Sequence, residues 1–143
     1  MTYDEVRRLV ETRFASEWGE RTGIQFPGKD FDSKNIDEFV SLGIQHGGET
    51  NKSFGAPGSN LRRNAGIVQL ILRVRRDTHK GTMRLNAHTD IARPIFRHWH
   101  SGGLNFVPRT PNVESFSVSN DGIVSPWTLR TLRWPFTMDT YDG

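Results

Sequence analysis

Apolar residues recur at helical spacing near the start of the chain. They are Val6, Leu9, Val10, Phe14 and Trp18. Thr2 precedes them and is followed three residues later by Glu5, which is the spacing of a capping box at a helix N-terminus. Gly19 stands where the C-terminus of such a helix is expected. The pattern predicts an amphipathic helix from Tyr3 to Trp18.

A pattern with period two follows. Val40, Leu42 and Ile44 alternate with small or polar residues, as in a half-buried strand. Residues 67–75 show the strongest alternation in the chain. One face consists of Val68, Leu70, Leu72 and Val74, and the other of Ile67, Gln69, Ile71, Arg73 and Arg75. We predict that this second strand is central in a sheet and buried on one side.

Three further segments have weaker strand signals. A short extended piece around Ile24 ends at Pro27, and residues 112–119 and 127–136 alternate near the end of the chain. The predicted inward-facing residues are Phe116 and Val118 in the first late strand, and Leu132, Trp134 and Phe136 in the second. Pro135 suggests that the last strand lies at an edge or ends there, because proline cannot donate to a sheet ladder.

A second helix is predicted over residues 82–98, between the main strands and the late ones. Its apolar positions recur every four residues, at Met83, Ala87, Ile91, Ile95 and Trp99. Pro94 interrupts this stripe and should kink the helix. The element order predicts a single α+β domain over residues 1–143, in which two helices pack on a mixed or antiparallel sheet of about four strands.

A polar stretch, GGETNKSFGAPGSNLRRNAG, separates the first two main strands at residues 47–66. We predict a long loop here, because loops of this length in compact domains are usually functional or disordered. An apolar ring, Phe54, lies in its middle, and Arg62 and Arg63 lie at its end. These three residues predict a docking element that becomes ordered against a partner.

Composition narrows the function classes. The 143 residues contain no cysteine, which excludes disulfides, cysteine-ligated zinc and a cysteine nucleophile. The N-terminal residues have acidic positions before any apolar run, so we expect neither a signal peptide nor a membrane anchor, and a protein made in a cytoplasm.

Charge is unevenly distributed along the chain. Residues 1–60 hold 7 Lys and Arg against 10 Asp and Glu, whereas residues 61–143 hold 12 against 6. This asymmetry is typical of a nucleic-acid-binding face. It equally fits an acidic face of one subunit that meets a basic face of the next.

Candidate catalytic or metal-binding groups are few. His98 and His100 flank a tryptophan at a predicted helix end, without a third ligand nearby, so we expect no metal site. No phosphate-binding loop, zinc-protease motif or nucleophile elbow occurs. A small hydrolase that uses His88 or His98 stays open as an alternative without a substrate.

The arginines on the predicted strands allow two interpretations. In the first, a basic aromatic face would bind single-stranded nucleic acid. Its residues would be Arg62, Arg63, Arg73, Arg75, Arg76, Arg130 and Arg133 together with Trp127, Trp134 and Phe136. Alternatively, the aromatic residues fill the core and the arginines extend toward solvent or acidic partners. The shared face of Trp134 and Leu132 favours the second interpretation.

Read in order, the elements resemble a known family. The resemblance rests on four segments: NLRRNAGIVQLILRV, the predicted helix LNAHTDIARPIF, the segment GGLNF and the closing RWPF. With the first helix and the long loop, they resemble the tail terminator proteins of long-tailed (siphovirus-type) bacteriophages and prophages, over roughly Tyr3 to Phe136. Pro94 and the tryptophan-rich end depart from that pattern.

The resemblance implies a structural virion protein without catalysis, cofactor or metal. Its copies would form a hexameric ring that caps the tail tube, ends polymerisation of the major tail tube protein, and receives the head-tail connector or stopper protein. DNA would pass through the lumen only as cargo, and no membrane would be involved. The protein would be assembled in the host cytoplasm and stay at the head-tail interface of the virion. A head-tail stopper or adaptor ring protein is the nearest alternative, followed by a small nucleic-acid-binding module.

The residues that we expect to contact neighbouring subunits or rings come partly from the loop and partly from the central strand. They are Phe54, Arg62, Arg63, Arg73 and Arg75.

Overall fold

A computed structural model describes residues 1–32, 36–51, 60–75, 81–106, 112–120 and 123–142. These residues form two α-helices and seven β-strands. In chain order they are α1 (Tyr3–Trp18), β1 (Gly23–Gln25), β2 (Glu38–Asn51), β3 (Asn60–Arg75), α2 (Gly81–Ala92), β4 (His100–Ser101), β5 (Leu104–Phe106), β6 (Asn112–Asn120) and β7 (Ile123–Asp142). The predicted α+β class is confirmed.

All seven strands belong to one mixed sheet. Six of them lie in the order β1-β2-β3-β7-β5-β4, and β6 pairs with β7 beside β5. The pair β1–β2 is parallel and the other pairs are antiparallel. The predicted number of about four strands was therefore too low. The four predicted main strands correspond to β2, β3, β6 and β7, and the short extended piece predicted around Ile24 corresponds to β1. The additional strands β4 and β5 contain only two and three residues.

The first helix begins and ends where the sequence predicts. The Thr2 hydroxyl accepts a hydrogen bond from the Glu5 amide at 3.1 Å, and Gly19 ends the helix with φ of +65°. Its buried side chains are Val6, Val10, Phe14 and Trp18. This spacing of four residues places them on one side of α1, against the sheet.

The second helix differs from its prediction in length and in orientation. It ends at Ala92 and not at His98, two residues before Pro94, whose ring and missing amide hydrogen disfavour continuation. The predicted apolar stripe is divided: Met83 is 64% exposed and Ile91 43% exposed, whereas Ile95, beyond the end of α2, is buried in the core and Trp99 packs against it. The side chains buried along α2 are Leu85, His88, Thr89 and Ala92.

The loop predicted over residues 47–66 is largely strand. Residues 47–51 belong to β2 and residues 60–66 to β3, with a register shift between His46 and Glu49 after which pairing resumes. Alternation of apolar residues could not reveal this pairing, since the segments are polar and rich in glycine. Phe54 lies in residues 52–59, outside the described part of the chain.

Side chains alternate between two faces of the central strands β2, β3 and β7. One face, which we call the helix-side face, packs against α1 and α2 and holds the core, including Val68, Leu70, Leu132, Trp134 and Phe136. The shared face predicted for the last three is confirmed. Phe116 and Val118 lie on β6, outside the part of the chain whose side chains the structure describes.

Pro135 lies inside β7 and not at its end. On the edge of β7 away from β3, β6 pairs with residues 123–133 and β5 pairs with residues 136–138. Pro135 therefore lies in the gap between the two neighbouring strands, where that edge of β7 has no ladder to interrupt.

Candidate functional site

The second face of the sheet carries no helix within the described residues, and we call it the helix-free face. Strand register arranges its side chains in rows across β2, β3 and β7. The rows are Gln45–Ile67–Pro135, Gly43–Gln69–Arg133, Ser41–Ile71–Thr131 and Phe39–Arg73–Leu129, followed by the pair Arg75–Trp127. This face thus combines apolar side chains with arginines. Most of its side chains are half-buried, while Phe39, Leu129 and Thr131 are buried.

Arginine and aromatic side chains meet at one end of the helix-free face. The Arg73 guanidinium carbon lies 5.5 Å from the centre of the Phe39 ring, and that of Arg75 lies 4.6 Å from the Trp127 ring. The rings of Phe39 and Trp127 meet edge to face with centroids 5.1 Å apart. The Phe31 ring stacks on the Phe39 ring, with centroids 4.8 Å apart. The arrangement holds two cations over aromatic faces, a geometry that favours arginine.

Arg73 is the more buried of these two cations. Burial lowers its pKa from the ordinary value, since a charged group loses hydration there. The polar contact of its guanidinium is with the Ser41 hydroxyl at 3.5 Å, and among the described residues no carboxylate lies within ion-pair distance. Arg75, by contrast, donates to the Ile36 carbonyl at 2.8 Å and lies 4.0 Å from Asp37. The helix-free face therefore presents a half-buried positive charge that lacks an acidic partner in the described subunit.

A shallow depression of about 400 Å³ lies at the other end of the helix-free face. Its lining is mainly apolar and consists of Gln45, His46, Gly47, Ala65, Gly66, Ile67, Pro135, Phe136 and Thr137. The small residues Gly47 and Ala65 leave the backbone uncovered next to Ile67 and Pro135. An apolar side chain of a partner could fill this space.

The two arginines of the predicted loop lie on opposite faces. Arg63 is on the helix-free side, where it forms a salt bridge with Asp139 across the β3–β7 pair. Arg62 is adjacent in the chain and points to the helix-side face, where it is half-buried. Of the predicted contact residues, the structure brings Arg73 and Arg75 together, while Arg63 is held by an acidic group of its own subunit.

The predicted basic aromatic face for nucleic acid is not assembled as a whole. Trp134 and Phe136 are each 2% exposed in the core on the helix-side face. Trp127 alone of the three shares a face with Arg73 and Arg75. The interpretation of the late aromatic residues as core is thus confirmed for Trp134 and Phe136.

A polar cluster that the sequence did not reveal surrounds His88. This histidine is 1% exposed, and its Nδ1 accepts a hydrogen bond from Arg21 Nε at 2.8 Å. Because Arg21 can only donate, the neutral imidazole carries its proton on Nε2, which lies 3.1 Å from Glu38 Oε2 at an angle too poor for a linear hydrogen bond. Arg84 Nε also donates to Glu38, at 3.0 Å. The cluster ties α2 to β2 and, through Arg21, to the segment between α1 and β1.

Electrostatics in this cluster favour a neutral histidine. Burial lowers the pKa of His88, outweighing the nearby Glu38 carboxylate, and the hydrogen bond from Arg84 lowers the pKa of Glu38. A substrate cannot reach an imidazole that is 1% exposed. The hydrolase alternative has no accessible group at this position.

Other kinds of site are not formed by the described residues. No group of three or more histidine and acidic side chains is placed to hold a metal ion in the described ranges. Likewise, no helix in that part of the chain is long and apolar enough to cross a membrane.

The outer side of α2 is a further surface feature, and we call it the α2 stripe. It consists of Met83, Ala87, Asp90 and Ile91, which recur at intervals of three and four residues. Met83 and Ile91 are two of the three large apolar side chains that are exposed among the described residues. Three of these residues, Met83, Ala87 and Ile91, belong to the apolar stripe that the sequence predicts for this helix.

Comparisons with known proteins support the fold. No protein-family model matches the chain, and no curated protein does. A solved structure without a descriptive name aligns with 100% of this chain and 99% of its own, with a TM-score of 0.65 and 15% sequence identity. At this identity the likeness shows a shared α+β fold and nothing about function.

Proposed function

We propose that the protein is a ring-forming structural subunit of a phage tail, and specifically a tail terminator. Its hexameric ring would cap the completed tail tube, stop addition of the major tail tube protein, and offer the surface to which the head-tail connector or stopper protein binds. DNA would pass through the ring without being read. The protein would thus belong to the virion, at the head-tail interface.

The observation that carries the proposal is the helix-free face. Arg73 and Arg75 lie there among Phe39, Ile71 and Trp127, at a surface that no helix of the described chain covers. Aromatic residues and arginine are enriched at protein-protein interfaces. The resemblance in element order to tail terminators supplies the kind of assembly.

The same face argues against the nucleic-acid-binding alternative. Stacking of successive bases needs several exposed rings, whereas Trp134 and Phe136 are buried and Trp127 is half-buried. A head-tail stopper or adaptor ring would use the same kind of surface, so the two ring functions differ in their partner ring and not in this feature.

Tail assembly in vitro tests the proposal. Purified protein is mixed with growing tubes of the major tail tube protein from the same phage, and tube ends and lengths are measured by negative-stain electron microscopy. A terminator should give one ring-shaped cap at a tube end and stop elongation. Arg73→Glu should abolish capping, whereas Glu20→Lys, an exposed charge change on the α1 side, should not.

Two outcomes would contradict the proposal. If tubes elongate unchanged with a folded protein present, the terminator function is wrong. If the protein binds the head-proximal connector but never the tube, the adaptor alternative replaces it.

A further inference from the structure

Two surfaces of the subunit have complementary chemistry and lie on opposite sides of the sheet. The α2 stripe lies outside the helix layer, because Leu85, His88 and Ala92 of the same helix face the core. The helix-free face lies on the far side of the sheet. A subunit therefore presents an apolar helical ridge on one side and an apolar, arginine-bearing sheet face on the other.

Charge on the two surfaces is also complementary. Arg73 has no carboxylate within ion-pair distance among the described residues. Asp90 is exposed at the C-terminal end of the α2 stripe, and no described cation forms a salt bridge with it. A half-buried cation without a counter-charge is costly, so an anion brought by a partner would be stabilised there.

The dimensions of the two surfaces agree. Met83 and Ile91 are eight residues apart on a helix, a rise of about 12 Å. Ile67 and Ile71 are four residues apart on β3, a distance of about 13 Å. Arg73 lies two residues beyond Ile71 on β3, and Asp90 lies one residue before Ile91 on α2. Placing Met83 over Ile67 and Ile91 over Ile71 therefore leaves the two Cα positions about 8 Å apart along the strand, a gap that the long Arg73 side chain can span to reach the carboxylate.

We propose that the α2 stripe of one copy binds the helix-free face of the next copy, with the Asp90 carboxylate paired with Arg73. Since the two patches differ and lie on opposite sides of the subunit, the association is head-to-tail, and it closes into a ring where the rotation between copies permits. This interface deepens the proposed function and rests on it only for the number of copies in the ring.

Cysteine crosslinking tests the proposed contact directly, because the chain has no cysteine of its own. The variant Ile71→Cys/Ile91→Cys is oxidised at high protein concentration and run on a denaturing gel. We expect a ladder of dimers and higher species, since each copy carries both halves of the contact. Each single variant should stay monomeric on the gel, and so should the control Ile71→Cys/Glu20→Cys.

Pairing of two defective subunits gives an independent readout. One variant carries Arg73→Glu, and the other carries Met83→Glu with Ile91→Glu. Each alone should be a 16.3 kDa monomer by light scattering. Their mixture should form a dimer and nothing larger, because one intact stripe and one intact sheet face remain. Restoration of larger assemblies by Arg73→Glu combined with Asp90→Arg would confirm the ion pair.

Several results would overturn the interface. A dimer formed by Ile91→Cys alone would indicate symmetric packing of two helices. Absence of the ladder would also overturn it. A further contrary result would be an Arg73→Glu variant that no longer binds single-stranded DNA but self-associates as before. Rings on tail tubes without the ladder would contradict this interface and leave the terminator function intact. A ladder from a protein that never caps tubes would support this interface and contradict the terminator function.

Discussion

Arg63 and Asp139 lie opposite each other on β3 and β7 and form two hydrogen bonds, from Nε to Oδ1 at 2.6 Å and from the terminal nitrogen to Oδ2 at 2.9 Å. The carboxylate raises the pKa of Arg63 further above its ordinary value. A bidentate pair fixes the geometry of both side chains. The pair therefore couples the distal parts of two strands within one subunit.

We expect a charge exchange to preserve this coupling. Arg63→Asp should lower the thermal stability slightly, because it places like charges on neighbouring strands. Adding Asp139→Arg should restore most of the loss, and thermal unfolding of the four proteins of this cycle measures the difference. Equal losses in the single and double variants would mean that the pair does not stabilise the fold.

The stability of the fold should fall in mild acid because of His88. Its pKa is below the ordinary 6.5 in the folded state, so the unfolded chain binds a proton more readily. The free energy of unfolding should therefore decrease as the pH falls below about 6.5, down to the pKa of the folded state. Glu38 stays ionised in this window, because its pKa is lowered as well.

Urea unfolding from about pH 7.5 to about pH 5 measures this effect. His88→Gln should be less stable at neutral pH and should show a flatter pH dependence. His46 also has a pKa lowered by burial, so His46→Gln serves as the matched variant for the remaining slope. An unchanged slope in both variants would exclude the histidines as its cause.

Gly66 should not tolerate a side chain. A methyl group added there would lie 2.8 Å from the Gln45 carbonyl oxygen and would collide with the Phe136 ring. We expect Gly66→Ala to cost about 1 to 3 kcal/mol of stability, as overpacked cores do. Gly43→Ala is the control, because nothing lies within 4 Å of a methyl group at that position. Equal unfolding midpoints for the two variants would contradict the packing of Phe136 over Gly66.

The two sides of α2 should respond differently to substitution. Met83→Ser and Ile91→Ser should change the stability of the isolated subunit by less than about 0.5 kcal/mol, since both side chains are exposed. Leu85→Ala should cost about 2 to 5 kcal/mol, because Leu85 is 2% exposed in the core. Denaturant unfolding at low protein concentration compares them. If Met83→Ser and Ile91→Ser cost more stability than Leu85→Ala, the stripe of apolar residues spaced by four would face the core instead.

Arg73 should stabilise the assembly at the expense of the isolated subunit. Arg73→Met keeps an unbranched side chain over Phe39 and removes a desolvated charge, so the unfolding free energy of the monomer should stay equal or rise. Self-association should be lost in the same variant. A fall in monomer stability of more than about 1 kcal/mol would instead assign Arg73 to the cation-π contact with Phe39.

Strong local periodicity explains which parts of the fold were predictable. α1 has a cap, a stop and apolar residues on one side, and β3 alternates without a break over Val68 to Val74. In α2 the four-residue spacing did not identify the buried side. Each step of four residues rotates about 40° beyond a full turn, so the stripe drifts around the helix. The buried side of that helix includes His88 and Thr89, whose partners are distant in the chain.

The candidate site was predictable only in part, for a similar reason. Alternation along β3 placed Arg73 and Arg75 on one face. Their aromatic partners Phe39 and Trp127 come from strands far away in the chain, and only the strand register brings them together. The Arg63–Asp139 pair depends on pairing of β7 with residues 60–66 of β3, a polar segment without the regular apolar alternation seen in residues 67–75.

Residues 127–142 of β7 pair with β3 along one edge, and the other edge of β7 pairs with β6 and β5. During translation, β2 and β3 can form a hairpin early, but the edge of β3 that β7 later covers stays open until the last of these residues leaves the ribosome. An uncovered strand edge is a template for pairing between nascent chains. We infer that high-level synthesis of this protein depends on fast release or on chaperone protection of β3, and that truncation within β7 yields aggregates and not smaller folded subunits.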